Sequence, residues 1–120
     1  MPLEDRATVG ISGEDAALAE YRRGGYRVLA RNWRCPLGEL DLIVIRDQMV
    51  VFCEVKTRRG AAFGGPHEAV TAQKQRKLRH LAEAFLRAMR LDPKEIRFDV
   101  ASVMTTDTGS PSIHLFEDAF

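Results

Sequence analysis

The stretch GELDLIVIRDQMVVFCEVK, Gly38 to Lys56, reads as two apolar strands joined at Asp47-Gln48. Strand side chains alternate between faces. In the first strand of this hairpin Glu39, Asp41, Ile43 and Ile45 share one face, and Leu40, Leu42 and Val44 share the other. In its second strand Val50, Phe52, Glu54 and Lys56 stand together, opposite Val51, Cys53 and Val55. A two-residue turn at Asp47-Gln48 pairs Arg46 with Met49 and Ile43 with Phe52. Counting on, Asp41 meets Glu54 and Glu39 meets Lys56. Three carboxylates and a lysine then sit on one face, at the end away from the turn.

Like charges directly opposed in a ladder are destabilising. Asp41 and Glu54 therefore need a cation, a shared proton or a splayed geometry. The hard-cation solution is Mg²⁺, held by one or two carboxylates with waters and substrate oxygens. Lys56 points to the same side, within reach of a metal-bound water or a phosphate oxygen. The same pattern also suits a plain Glu39–Lys56 ion pair at a strand end, with the other acids in solvent.

Outward from the hairpin, Ser12 and Asp15 give a capping-box-like helix start, and Gly24-Gly25 a stop. Ala17, Leu18 and Tyr21 form the apolar face of that helix. Tyr26 to Ala30 reads as a strand and Asn32 to Pro36 as a turn. Glu39 to Ile45 and Met49 to Lys56 are the hairpin strands, followed by a Gly-rich loop over 57–66. Thr71 caps a long helix with an apolar stripe of Leu78, Leu81, Ala82, Phe85, Leu86 and Met89, ended by Asp92-Pro93. Ile96 to Met104 and Ser112 to Phe116 are two more strands. The order predicts an α/β fold: one mixed sheet with packed helices, the fourth strand parallel to the third through the crossover helix.

The chain has 120 residues, 45% hydrophobic and 29% charged, which suits one domain over 1–120 with 1–11 as a flexible N-terminal segment. Cys35 and Cys53 lack metal-ligand spacing, and Cys53 reads as a buried, reduced small hydrophobe. No leader or membrane-length apolar run is visible, so the expectation is a soluble cytoplasmic protein without membrane contact. The net charge is +1, which by itself argues for no polyanion. The charges are nonetheless segregated. Residues 22–34 hold five arginines and no acid, and residues 71–90 hold six Lys or Arg and one acid. Brought together they would suit a polyanion; apart they are solvated faces.

Glu14 and Lys74 stand out by position. Each lies four residues before an inward leucine, at the start of its helix's buried stripe. Glu14 favours the helix dipole and, in a functional reading, leans over the hairpin as a third carboxylate. Lys74, beside Gln73, opposes the dipole and would make sense beside a phosphate. Arg97 and Asp99 share a strand face and read as a structural pair outside the site. His67, His80 and His114 form no pattern.

The hairpin, with SGEDAALAEYRRGGYRVLARNWR upstream and GGPHEAVTAQKQRKLRHLAEAFL and RFDV downstream, resembles the YraN-like family of uncharacterised bacterial proteins. That family is grouped with the PD-(D/E)XK nuclease superfamily and is similar to archaeal Holliday junction resolvases. The resemblance spans about Gly13 to Val103 and implies a restriction-endonuclease-like αβββαβ core. It implies that Asp41 and the Glu54-Val55-Lys56 run are the superfamily motif, that Glu14 is the first-helix glutamate, and that Gln73 or Lys74 is the polar residue of the second core helix. The proline of the motif is absent, with Leu40 in its place.

The leading expectation is a Mg²⁺- or Mn²⁺-dependent endonuclease hydrolysing DNA phosphodiesters, on linear or branched substrates. Asp41, Glu54, the Val55 carbonyl and Glu14 would serve the metal, while Lys56 orients water and stabilises charge. Arg22, Arg23, Arg31, Arg34, Arg58, Arg59, Gln73, Lys74, Arg76 and Arg79 are candidate nucleic-acid contacts. Trp33 and Phe63 are read as packing residues before base-stacking ones. Two alternatives stand beside this: a non-catalytic nucleic-acid-binding module, or a protein-interaction domain with a vestigial acidic site. A homodimer is expected only if the substrate is a junction.

Overall fold

Runs of Val, Ile and Phe that alternate with each other rather than with polar residues demand cover on both sheet faces. The computed structural model, which describes residues 12–59, 70–105 and 110–120, meets that demand with one helix on each face. The elements run α1 (Gly13–Arg23), β1 (Arg27–Cys35), β2 (Gly38–Arg46), β3 (Met49–Arg59), α2 (Ala72–Ala88), β4 (Glu95–Thr105) and β5 (Ser112–Phe116). They build one mixed sheet in the order β1-β2-β3-β4-β5, with the αβββαβ core that the sequence predicts. Among the described strands only β3 and β4 are parallel, and α2 makes the crossover between them. Ser12 and Thr71 cap the two helices with their side-chain oxygens.

Ala17, Leu18 and Tyr21 of α1 pack on Leu42, Val44, Val51, Cys53 and Ala101. Leu78, Leu81, Ala82 and Phe85 of α2 pack on Ile43, Val50, Phe52, Phe98 and Val100 across the sheet. The Asp47-Gln48 turn and the pairs Arg46–Met49 and Ile43–Phe52 form as read from the sequence. Cys35 and Cys53 are free thiols, and Cys53 is buried. No helix among the described residues is long and apolar enough to cross a membrane.

Four expectations are corrected. Asn32 to Cys35 is strand, and the turn is confined to Pro36-Leu37. Trp33 meets Phe85 edge-on at 5.3 Å between ring centroids, and Cys35 packs against the same cluster, which draws this segment onto the sheet. Thr57 to Arg59 is also strand, because it pairs with Val103, Met104 and Thr105 of β4. The remainder of the expected 57–66 loop, with Phe63, lies outside the described residues, as do His67 and 1–11. Met89 caps α2 and is 47% exposed rather than part of its stripe.

The fourth correction concerns the faces. Leu42 packs against α1's cluster, but Leu40 packs against α2's. Arg31 contacts Glu14 and Asp15 of α1, whereas Trp33 meets Phe85 of α2. Alternation therefore breaks in both strands at Asn32 and Asp41, and Asn32 absorbs the break with a left-handed φ of 51°. By alternation Glu39 is turned away from the Glu54 face. It lies on Arg34 (Nε to Oε2, 2.6 Å) and does not form the expected pair with Lys56.

On the α1 face, Asp99 is 0% exposed and fully engaged. It accepts from Tyr21 Oη (2.7 Å), Arg97 Nε and Nη2 (2.8 Å each) and the Asp118 N–H (2.9 Å). This bears out the Arg97–Asp99 pair and adds the tyrosine that ties α1 to β4. Burial, with Cys53 and Asp99 nearby, pushes the Tyr21 phenol well above its ordinary pKa, so it stays a neutral donor. Removing one partner of such a group leaves the rest uncompensated. Asp99→Ala is expected to lose about 3–5 kcal/mol of unfolding free energy, and Tyr21→Phe about 1–2 kcal/mol, both read from urea denaturation.

Candidate active site where two strands part

The β2–β3 ladder runs from Arg46–Met49 to Leu42–Cys53 and stops one pair short of Asp41–Glu54. Beyond it, the Val55 N–H donates to Asp41 Oδ2 at 2.9 Å instead of to a β2 carbonyl. The aspartate thus occupies the gap it opens. Glu54, 8% exposed, lines the same small cavity as Asp41, Leu40, Phe52 and Leu78. Each carboxyl bears on the other's proton affinity, raising Asp41 and lowering Glu54. The strands part here instead of holding the two carboxylates in an unbroken ladder.

Burial first, and Glu54 second, push Asp41 up to about 7 against the opposing pull of the Val55 N–H. Burial would also raise Glu54, but the hydrogen bond from Asp41 and the ammonium of Lys74 outweigh it and hold Glu54 below its ordinary value. Glu54 Oε2 meets Lys74 Nζ in close contact and lies 3.5 Å from Lys56 Nζ. Burial, and then Lys74, hold Lys56 below the usual lysine range. The ion pair with Glu54 outweighs burial for Lys74 and raises it. Both ammoniums lie on the α2 side of the sheet; strand parity put Lys56 on the Glu54 face, and helix spacing put Lys74 at the start of its helix's inward stripe.

Glu14 approaches from α1. Gly13 lets the helix start press on β3, since a Cβ there would run into Thr57 Oγ1. Glu14 Oε1 accepts from Asn32 Nδ2 (2.8 Å) and lies 3.6 Å from Arg31 Nη2. It acts on Asp41 as a nearby negative charge. Asn32 was missed because its surroundings read as a turn; its companionship with Glu14 is long-range and leaves no local signal.

Among the described residues, no group of three His, Cys, Asp or Glu side chains comes together as a metal site. The donors at hand are the two carboxylates and the adjoining Val55 main chain. They fit a divalent cation chemically: hard oxygens, two of the groups being carboxyls that would repel each other when both are ionised.

The basic candidates divide. Arg23 lies on Glu20, Arg31 on Asp15 (2.7 Å), and Arg34 on Glu39. The Arg79 guanidinium sits 4.8 Å over the Phe98 ring, a packing role. Arg22, Gln73 and Arg76 are exposed. Arg58 follows Lys56 on the same strand face, and its Nε is the buried side-chain nitrogen without a partner among the described residues. The strand backbone of Arg59 is described, its side chain is not.

Fold and site together define an α/β protein with an αβββαβ core, carrying an acid and an acid-x-lysine on adjacent strands where they separate. The chain belongs to the uncharacterised protein family UPF0102, whose model matches residues 13–103, as the resemblance read from the sequence implied. It is similar to the UPF0102 protein of Nocardia farcinica, 44% identical over 116 residues (97% of this chain, 91% of that one). The UPF0102 protein of Symbiobacterium thermophilum is 46% identical over 112 residues (93% and 95%), and that of Syntrophotalea carbinolica 47% over 98 (82% and 80%).

A carboxyl raised to about 7 makes the folded state hold more protons than the unfolded one. Its contribution is fully present below the ordinary aspartate value of 3.8 and is lost as pH rises toward 7. In EDTA, Asp41→Asn is expected to melt roughly 5 °C above the wild type at pH 8, with the gap closing toward pH 4. Calorimetric melting across that range checks it; parallel curves would show that Asp41 is not held protonated.

Proposed function

We propose that this chain is a Mg²⁺- or Mn²⁺-dependent endonuclease hydrolysing DNA phosphodiesters. The observation that carries the reading is the convergence of Asp41, Glu54 and Lys56 where β2 and β3 part. Asp41, Glu54 and the Val55 carbonyl would hold the cation, with Glu14 contributing charge from α1. When bound, the cation supplies polarisation of the scissile phosphate and a more acidic attacking water.

The chain's own groups supply the rest. Asp41, raised to about 7, would have to be ionised to hold the cation, whereas Glu54, held low, would already be charged. Lys56 orients the attacking water and stabilises charge on the phosphate oxygens. Its lowered affinity for protons suits an amine that works close to a cation. Arg58, two residues along the strand and with an Nε that has no partner among the described residues, and the exposed Arg76 on α2 support phosphate contacts flanking the site. Resolution of a junction would require two such sites and hence two copies of the chain.

Wild type is expected to nick linear or branched DNA with Mg²⁺ or Mn²⁺ and to stop in EDTA, while Glu54→Ala loses at least about a hundredfold in rate. Equal cleavage by both proteins would sink the assignment. DNA binding without cleavage would leave a binding module on the nuclease fold. Arg58→Ala is expected to weaken DNA binding and to reduce the slope of log K against log salt by about 1. An unchanged slope in a fluorescence-anisotropy titration would remove Arg58 from the interface.

A further inference from the structure

We propose that Lys74 is a resident counter-ion of Glu54 that an incoming divalent cation displaces, so that loading the site releases this ammonium to a substrate phosphate. The inference rests on the metal-dependent reading above and concerns the order of events at that site.

Lys74 occupies the first turn of α2, which contains no acidic residue, and its N–H is taken by the Thr71 cap. An ammonium there opposes the helix dipole. The placement is offset by the contact of its Nζ with Glu54 Oε2. That same oxygen also faces Lys56 Nζ at 3.5 Å. One oxygen of the carboxylate that would ligate a cation is therefore already covered by two ammoniums.

With both carboxyls ionised, as cation loading requires, two carboxylates and two ammoniums balance. A divalent cation added to that set would leave two positive charges in excess around a largely buried glutamate, which Coulomb repulsion opposes at short range. One ammonium must leave. Lys56 stands two residues from Glu54 on the same strand face and is 26% exposed. Lys74 reaches across from another element and is 37% exposed, so its long stem has room to swing into solvent. On release it stays beside exposed Gln73, Arg76 and Lys77 of the same helix start, where backbone N–H groups also favour an anion. Cation loading and phosphate capture are then coupled through one side chain.

Two measurements on the full chain test this. In calorimetry with Mn²⁺ alone at pH 8, Lys74→Ala is expected to bind about tenfold more tightly than wild type, because the competitor is gone. In acetylation with an amine-reactive reagent followed by mass spectrometry, Lys74 of the wild type is expected to react several-fold faster at saturating Mn²⁺ than in EDTA, roughly as a freed amine should. Glu54→Gln should react fast in both, and exposed Lys94 should show no change. Mn²⁺ binding by Lys74→Ala alone would also support the proposal. Equal Mn²⁺ affinities, or Lys74 labelling indifferent to Mn²⁺, would overturn it while leaving the metal reading standing. Failure of both proteins to bind Mn²⁺ would overturn both.

Discussion

The hydrogen bond from the Val55 N–H to Asp41 Oδ2 is the constraint on which the site depends. A main-chain donor at a sheet interior must find a partner, ordinarily a carbonyl of the neighbouring strand. Here a side chain takes it, and the ladder between β2 and β3 ends at Leu42–Cys53. The strands separate without leaving that N–H unsatisfied. The carboxylate that closes the account is brought against Glu54, which neither strand would tolerate in an unbroken hairpin.

The break also redistributes the apolar residues. Leu40 and Trp33 change sides at Asp41 and Asn32 and join the α2 cluster, while Glu39 turns the other way to Arg34. The end of the sheet can thus be apolar toward α2 and still present Glu54, Lys56 and Arg58 in a row along β3. Asn32 supports this with a backbone conformation that asparagine tolerates better than most residues, and its amide is held by Glu14 of α1. Both helices therefore bear on the same point from opposite faces, α1 through Glu14 and α2 through Lys74.

What was legible in the sequence is what depends on near neighbours. The caps at Ser12 and Thr71, the turn at Asp47-Gln48, the register at Ile43–Phe52 and the stripes of both helices, Met89 excepted, are all local patterns, and they form. Asp41, Glu54 and Lys56 were found by strand parity, which holds along β3. Parity fails along β2 at Asp41, across from the break at Asn32 of β1 and beside the Val55 N–H of β3, neither of which a single-strand pattern records. The same blindness turned Asn32–Cys35 into a turn and hid the pull of Phe85 on Trp33. It also ended β3 at Lys56, since the polar run Thr57-Arg58-Arg59 is held in strand only by its parallel neighbour.

The electrostatics follow from that architecture rather than from composition. The chain is nearly neutral, and several of its arginines are spent on neighbouring acids or on aromatic rings. Positive charge is concentrated where it matters by removing acids from the Lys56 side, as the inversion does with Glu39. Had Glu39 stayed opposite Lys56, a third carboxylate would have raised the lysine's proton affinity and competed for it. With Glu39 elsewhere, burial first and the neighbouring Lys74 second hold the Lys56 pKa below the usual range. The strand inversion at Asp41 therefore sets both halves of the site: it brings two carboxyls together where the strands part, and it leaves beside them a lysine whose proton affinity lies below the usual range.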